Sequence, residues 1–271
     1  MGYQQKSQTK AWHSTTSRAF AAHRIRFLPQ VCIGLVLALG AISQASAQVT
    51  FVQGASKDAY SGSGGSVLVT LTWSSAQQAG DLNVISIGVV TPNTITSVTD
   101  SIGNSYLQAV SATKSLSGSQ TLYYAANIQA AAAGANTVTV TFNGGTGGNV
   151  KANVGSQLVG GVSMAEYSGI VTTNPLDVAT GAGGTSSSGG TASSGQASTT
   201  NANDLLIGGY WAGSTGGTAG TGYTMRTGGI EDRTVTATGS YSATATVASP
   251  GGWWVVLLAA FRAASSGSVC D

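Results

Sequence analysis

Only two histidines occur in the chain, His13 and His23, and both lie in an N-terminal stretch with the marks of an export leader. Once that stretch is removed, no Ser–His–acid or Cys–His nucleophile can be assembled. The usual zinc ligands are then reduced to Cys270, next to the C-terminal Asp271. Carboxylates remain, and two of them facing each other across a sugar suffice for glycoside hydrolysis. Asp58, Asp81, Asp100, Glu166, Asp177, Asp204, Glu231 and Asp232 are available. Asp81, Asp100 and Asp204 stand beside turns, where a carboxylate ordinarily caps backbone N–H groups. Glu166 differs, because it shares the strand parity of Val162 and Met164 and should be buried. A buried acid must be paired or protonated. An ion pair with Arg233 or Arg262 is the expected arrangement, and a catalytic role is the alternative.

Glu231-Asp232-Arg233 is the densest run of charge. Its plain reading is an ion network at a polar rim. With Asp100 and Asn104, the oxygens of Glu231 and Asp232 are also the chain's candidates for a structural calcium, although the spacing matches no EF-hand loop. No other cofactor is expected. Three adjacent aromatic pairs, Tyr123-Tyr124, Tyr210-Trp211 and Trp253-Trp254, offer a different chemistry. Strand neighbours face opposite sides, and parity places Tyr123, Tyr210 and Trp254 away from the core. On one sheet these three would form a platform for stacking sugars; scattered, they are ordinary surface aromatics. The Thr-x-Thr ladders at Thr137 to Thr141 and Thr234 to Thr238 resemble the start of a flat crystal-binding face, but two are too few to make one.

The elements that must position these residues are strands. Val67, Val69, Leu71 and Trp73 alternate with polar or outward residues, as do Val138, Val140 and Phe142 with Thr137, Thr139 and Thr141. Such period-two runs are half-buried strands. Further strands are predicted at Val49 to Gln53, Leu82 to Val90, Ile95 to Thr99, Ser105 to Val110, Gln120 to Ile128, Val162 to Tyr167, Leu205 to Trp211, Thr234 to Val247 and Trp253 to Phe261. Asp100 to Asn104 reads as a hairpin loop, and Gly144 to Gly148 and Pro250-Gly251-Gly252 as breaks. Gln129 to Ala133, QAAAA, favours a helical turn by composition but ends at Gly134, so it is taken as a connection. The expected fold is therefore all-β: an antiparallel β-sandwich, jelly-roll-like or of related topology, with about ten or more strands. The segment 181–196, GAGGTSSSGGTASSGQ, is expected to be a long loop, with or without a polar strand in it, within a single domain spanning 48–263, followed by a flexible tail at 264–271.

Compartment follows from the first 47 residues. Lys6, Lys10, Arg18, Arg24 and Arg26 precede the uncharged run Val31 to Ile42, and Ala45-Ser46-Ala47 supplies small residues for cleavage before Gln48. Twelve apolar residues rise only about 18 Å as a helix, short of the roughly 30 Å needed to span a membrane. The residues before Cys32 do not form a lipobox. Secretion, or display at the cell surface, is expected. The remaining 224 of 271 residues carry six basic and nine acidic side chains, a net charge of −3. That balance lacks the basic stripe nucleic acid requires. With Cys270 alone, no internal disulfide can form.

The runs Val98-Thr-Asp-Ser-Ile-Gly-Asn-Ser-Tyr106, Leu122-Tyr-Tyr-Ala-Ala-Asn-Ile128, Thr137-Val-Thr-Val-Thr-Phe142, Glu166-Tyr-Ser-Gly169, Asn174-Pro-Leu-Asp-Val178, Asn201-Ala-Asn-Asp-Leu-Leu206 and Glu231-Asp-Arg233, with Thr236 to Thr246, carry a resemblance over nearly all of the chain after residue 47. It resembles a recurrent module of secreted bacterial proteins, found alone or beside fibronectin-type and immunoglobulin-like domains. The resemblance implies a single exported β-sandwich and transfers no catalytic or binding residue. The expected function is a non-catalytic extracellular module that binds carbohydrate or another cell-surface component. A structural or adhesive subunit is the alternative, and a carboxylate-only glycosidase the third.

Overall fold

The computed structural model describes residues 48–60, 66–143, 158–213, 217–248 and 251–265. The expected leader, the glycine run at 144–148 and Cys270 lie outside the described residues. Among the described residues the chain forms seventeen strands and no helix, and every pairing between strands is antiparallel.

Two five-stranded sheets make the centre. The first contains β1 (Thr50–Tyr60), β3 (Leu82–Val90), β5 (Leu107–Lys114), β6 (Gly118–Ala125) and β8 (Leu158–Ser168), in the order β1-β8-β3-β6-β5. The second contains β9 (Leu176–Ser186), β12 (Asp204–Ala212), β13 (Thr224–Thr227), β14 (Ile230–Val235) and β17 (Gly252–Arg262), in the order β13-β14-β12-β17-β9. Between them Leu82, Val84, Leu122, Tyr124 and Tyr167 meet Leu205, Ile207, Val255, Leu257 and Phe261. A three-stranded sheet, β2 (Ser66–Thr72), β7 (Thr137–Asn143) and β4 (Thr94–Asp100), ordered β2-β7-β4, covers the far side of the first sheet. Its alternating apolar positions Val67, Val69, Leu71, Val138, Val140 and Phe142 pack on Ile85, Ile87, Val162 and Met164. Two ribbons, β10 (Gly190–Ser193) with β16 (Thr244–Val247) and β11 (Ala197–Ser198) with β15 (Ser240–Tyr241), accompany the far side of the second. There Ala192, Ala245 and Val247 bury Leu206, Val256, Leu258 and Ala260.

Both central sheets are thus covered on both faces. This is why Leu82 to Val90 and Val255 to Phe261 are nearly unbroken apolar runs: each parity finds a core. The outer strand β2 is covered on one side only and alternates strictly between exposed and buried.

Three expectations are corrected. Asp100 to Asn104 is not a hairpin, since β4 pairs with β7 and β5 with β6; this turn carries the chain from the outer sheet to the central one. The run Thr234 to Val247 is not continuous but is shared among β14, β15 and β16, which lie in different layers. Segment 181–196 is mostly strand rather than a long loop with at most one polar strand in it. Gly181 to Ser186 is the second half of β9, paired with Gly252 to Leu257, and Gly190 to Ser193 is β10. Its glycines are there for close approach. A Cβ on Gly183 would stand 2.3 Å from the Lys114 carbonyl oxygen, and one on Gly184 would stand 2.6 Å from the Trp254 ring. The QAAAA stretch connects strands as expected, with Ala131 bridging Gln77. The tail is held as far as Ala264, whose N–H donates to the Gly169 carbonyl at 2.8 Å.

Candidate binding cleft

The edge strands β1 and β13 run along the same side of the two central sheets, and the seam between them opens into a cleft of about 290 Å³. Phe51 of β1, Tyr167 of β8 and Leu205 of β12 line it, together with Arg226 at the end of β13, Asp232 of β14 and the hydroxyl residues Thr224 and Thr234. The β13–β14 register sets Thr224 opposite Asp232, so both project from one face of that ribbon. A register shift between Met225 and Thr227 falls at Arg226. There the Arg226 Nε–H donates to Asp232 Oδ2 at 2.8 Å, and the guanidinium lies 4.9 Å from the centre of the Phe51 ring. Phe51 in turn meets Tyr167 edge-on, with centroids 5.7 Å apart.

The resulting surface is polar and mixed. Arg226 uses one of its five N–H donors on Asp232 and presents the planar fork beside a carboxylate. The Asp232 hydrogen bond raises the Arg226 pKa further, so the cation persists at every physiological pH. Tyr167 is fully buried. Its hydroxyl is turned toward the Asp232 carboxylate but sits outside hydrogen-bonding geometry. Burial, with the charge of Asp232 second, holds this phenol well above its ordinary pKa, so it stays a protonated donor.

A second, smaller chamber of about 70 Å³ lies further along the seam. Ser56 and Asp58 of β1 and the Gly228-Gly229 turn stand around it, with Ser86, Gln120 and Ser163 of the first sheet and Trp211 of the second. Gln120 donates to the Ser86 hydroxyl at 2.8 Å, while its Oε1 and the Trp211 Nε1 are buried without partners. Trp211 lies over the cross-strand neighbours Gly88 and Gly161. A Cβ on Gly88 would sit 2.1 Å from the indole and one on Gly161 2.9 Å from it.

Of the residues singled out from sequence, Asp232 and Arg233 line the cleft and Asp58 and Tyr210 border the smaller chamber, but the proposed aromatic platform is not formed. Tyr123 faces the three-stranded sheet and accepts a hydrogen bond from Gln108 at 2.9 Å. Tyr210 and Trp254 face the ribbons on the far side of the second sheet, where Trp254 covers Gly184. Both central sheets and the core between them separate Tyr123 from the other two, so there is no platform. Parity assigned the faces correctly, but in a four-layer molecule the face turned away from one core is turned toward another.

Glu166 is buried as expected, yet its partner is not an arginine. Gln53 Nε2 donates to Glu166 Oε2 at 2.6 Å, and the register sets Glu166 between Gln53 and Asn83. Asp81 faces it. Burial, then the Glu166 charge and hydrogen bond, push Asp81 up to about 6. Arg233 instead lies over the Tyr241 ring, and Arg262 pairs with Asp177 at 2.8 Å, both on the second sheet. Neither Glu166 nor Asp81 lines the cleft.

The calcium candidates occupy two places. Asp100 accepts from the Asn104 amide at 2.9 Å, from the Asn104 side chain, and from Asn136 in a buried polar network that includes Tyr106 and Gln77. Glu231 and Asp232 lie on the second sheet and project to opposite faces of β14. Glu231 accepts from the Gly220 amide at 2.7 Å, and Asp232 holds Arg226. The four residues do not converge on one ion.

Comparison of the chain with protein-family models, with curated proteins and with solved structures returns no match. The cleft must therefore be read from its own chemistry. Arg226 and Tyr167, its central side chains, were not singled out in the sequence. Phe51 and Arg226 meet across 175 positions of chain, and no local pattern announces such a pair.

Proposed function

We propose that the protein acts outside the cytoplasm as a non-catalytic module that binds carbohydrate in the seam cleft. The observation that supports this reading is the Arg226–Asp232 pair. It sets hydrogen-bond donors beside an acceptor at 2.8 Å, with Thr224 and Thr234 nearby. Two adjacent sugar hydroxyls, one accepting from Arg226 and one donating to Asp232, satisfy that arrangement, while a purely apolar ligand desolvates their remaining donors and acceptor oxygens without replacing the lost water. Among the described residues no helix is long and apolar enough to cross a membrane.

Titration calorimetry against polysaccharides retained in a glycan screen tests the reading. Arg226→Gln is expected to weaken binding by about tenfold or more, in keeping with the roughly 1.5–3 kcal/mol carried by a hydrogen bond to a charged group. Tyr123→Ala and Trp254→Ala are expected to bind like the parent. Equal binding by Arg226→Gln and the parent, or no retention of any glycan, removes the proposal.

A second reading, an adhesive or structural subunit, is favoured by the outer face of the three-stranded sheet. Register aligns Leu68, Thr141 and Ser97 in one row and Thr70, Thr139 and Thr99 in the next. No charged side chain stands in these rows, and Leu68 is 63% exposed. On this reading sedimentation shows self-association that Leu68→Lys abolishes. A monomer at all concentrations refutes it.

A further inference from the structure

We infer that the seam is a single extended site, in which a linear oligosaccharide occupies the cleft and the smaller chamber at once. This rests on the carbohydrate reading of the cleft and adds the shape of the ligand. The two cavities follow each other in the same order along both bordering strands. Phe51 precedes Ser56 and Asp58 on β1, and Arg226 precedes Gly228 and Gly229 on the facing ribbon. From Phe51 to Ser56 the strand advances about 16 Å at roughly 3.3 Å per residue, more than one sugar ring covers.

Polar side chains of buried strands also stand at each cavity. Tyr167 lines the cleft, with its buried hydroxyl turned toward Asp232, and Gln120 and Trp211 line the chamber, with Gln120 Oε1 and Trp211 Nε1 buried. The Ser86 and Ser163 hydroxyls and the Gln120 amide among the chamber's lining residues suit a hydroxyl group that both donates and accepts. The chamber has room for about five water molecules at roughly 10–15 Å³ of such volume each. A hydroxyl-bearing arm of a sugar can displace that water and reproduce its hydrogen bonds. Asp58 with Lys57 at the chamber, and Asp232 with Arg226 and Arg233 in the cleft, set acceptors beside donors at each end of the seam, which suits the paired hydroxyls of a polyol chain.

The test is a length series. Xylo-, cello- and chito-oligosaccharides from the disaccharide to the hexasaccharide are titrated against the whole protein, the parent and Asp58→Asn, with Arg226→Gln as reference. The expected result is an affinity that climbs by about tenfold or more once the chain spans both cavities and then levels off, because the second contact is made at high effective concentration. Asp58→Asn weakens the long members alone, whereas Arg226→Gln weakens all. Affinity independent of length, or an Asp58→Asn protein that binds the hexasaccharide like the parent, overturns the extended site and leaves the cleft reading standing. No binding by any member of the three series overturns the inference. If short sugars bind and respond to Arg226→Gln without a length effect, the cleft is a single-unit site.

Discussion

Replacing Gly88 by alanine will destabilise the fold by about 3 kcal/mol, the upper part of the range for forcing an extra carbon into a packed interior. The built Cβ falls 2.1 Å from Trp211, and the obstacle is the body of the indole rather than the end of a flexible chain. Trp211 cannot swing aside freely, because Trp253 lies beside it with centroids 6.3 Å apart and is itself seated over Gly118 and Gly213. The cost therefore belongs to a pair. In a Trp211→Ala background, already weakened by loss of a large half-buried ring, Gly88→Ala will cost under about 1 kcal/mol. Urea unfolding of the four proteins gives the coupling directly. An equal cost of Gly88→Ala in both backgrounds means the indole is not what excludes the methyl group.

Stability will fall as the pH rises from 5 to 8. Burial, with hydrogen bonds from the Gly220 and Thr244 backbone opposing it, pushes Glu231 up to about 7. Burial likewise dominates at Asp204 and Asp81, both pushed up to about 6, with Asp177 and Glu166 as their respective acidic neighbours. The unfolded chain releases these protons near 3.8 for Asp and 4.5 for Glu, whereas the folded chain keeps them to about 6 or 7. Between those values the native state holds more protons than the unfolded state, and stability declines with rising pH. Asp177 has the opposite sign: burial alone would raise it, but hydrogen bonds from Thr200, Arg262 and Asn201 lower it, so its contribution disappears only in stronger acid. We expect a loss on the order of 3 kcal/mol between pH 5 and 8, below the full value of about 1.36 kcal/mol per unit because the carboxyls are not fully desolvated.

Asp204→Asn isolates one member of this set. Its amide can donate toward Asp177 while its oxygen still accepts from Asn201, which now bonds Asp204 Oδ1 at 3.0 Å. That reproduces the protonated acid. The variant should gain about 1 kcal/mol more at pH 8 than at pH 5, with a shallower pH profile. The same loss at both pH values would show that the carboxylate is needed as an anion.

The strands were legible wherever one parity was apolar and the other followed a rule. Leu82 to Val90 has the bounds in the structure that its composition predicts, and Val67 to Trp73 alternates in fact as in sequence. Glycine was misread. In segment 181–196 the missing side chains look like freedom, but at Gly181, Gly183 and Gly184 they leave room for Leu257, the Lys114 backbone and Trp254. A sequence records the absence of a Cβ and not the atom that would have struck it. Glu166 shows the same division: its burial followed from parity, whereas its partners Gln53 and Asp81 depend on which strands became neighbours.

Residue order by itself settled the all-β class and the faces to which most strand side chains turn, because both follow from a two-residue period that acts within a few ångströms of the chain. Only the tertiary structure decided the four layers, the separation of Tyr123 from Tyr210 and Trp254, and the seam where Phe51, Tyr167, Arg226 and Asp232 meet. Those outcomes depend on strand order and on which sheet covers which. Strand order is fixed by the burial of whole faces against one another, a global quantity to which no short stretch of the chain contributes a readable sign.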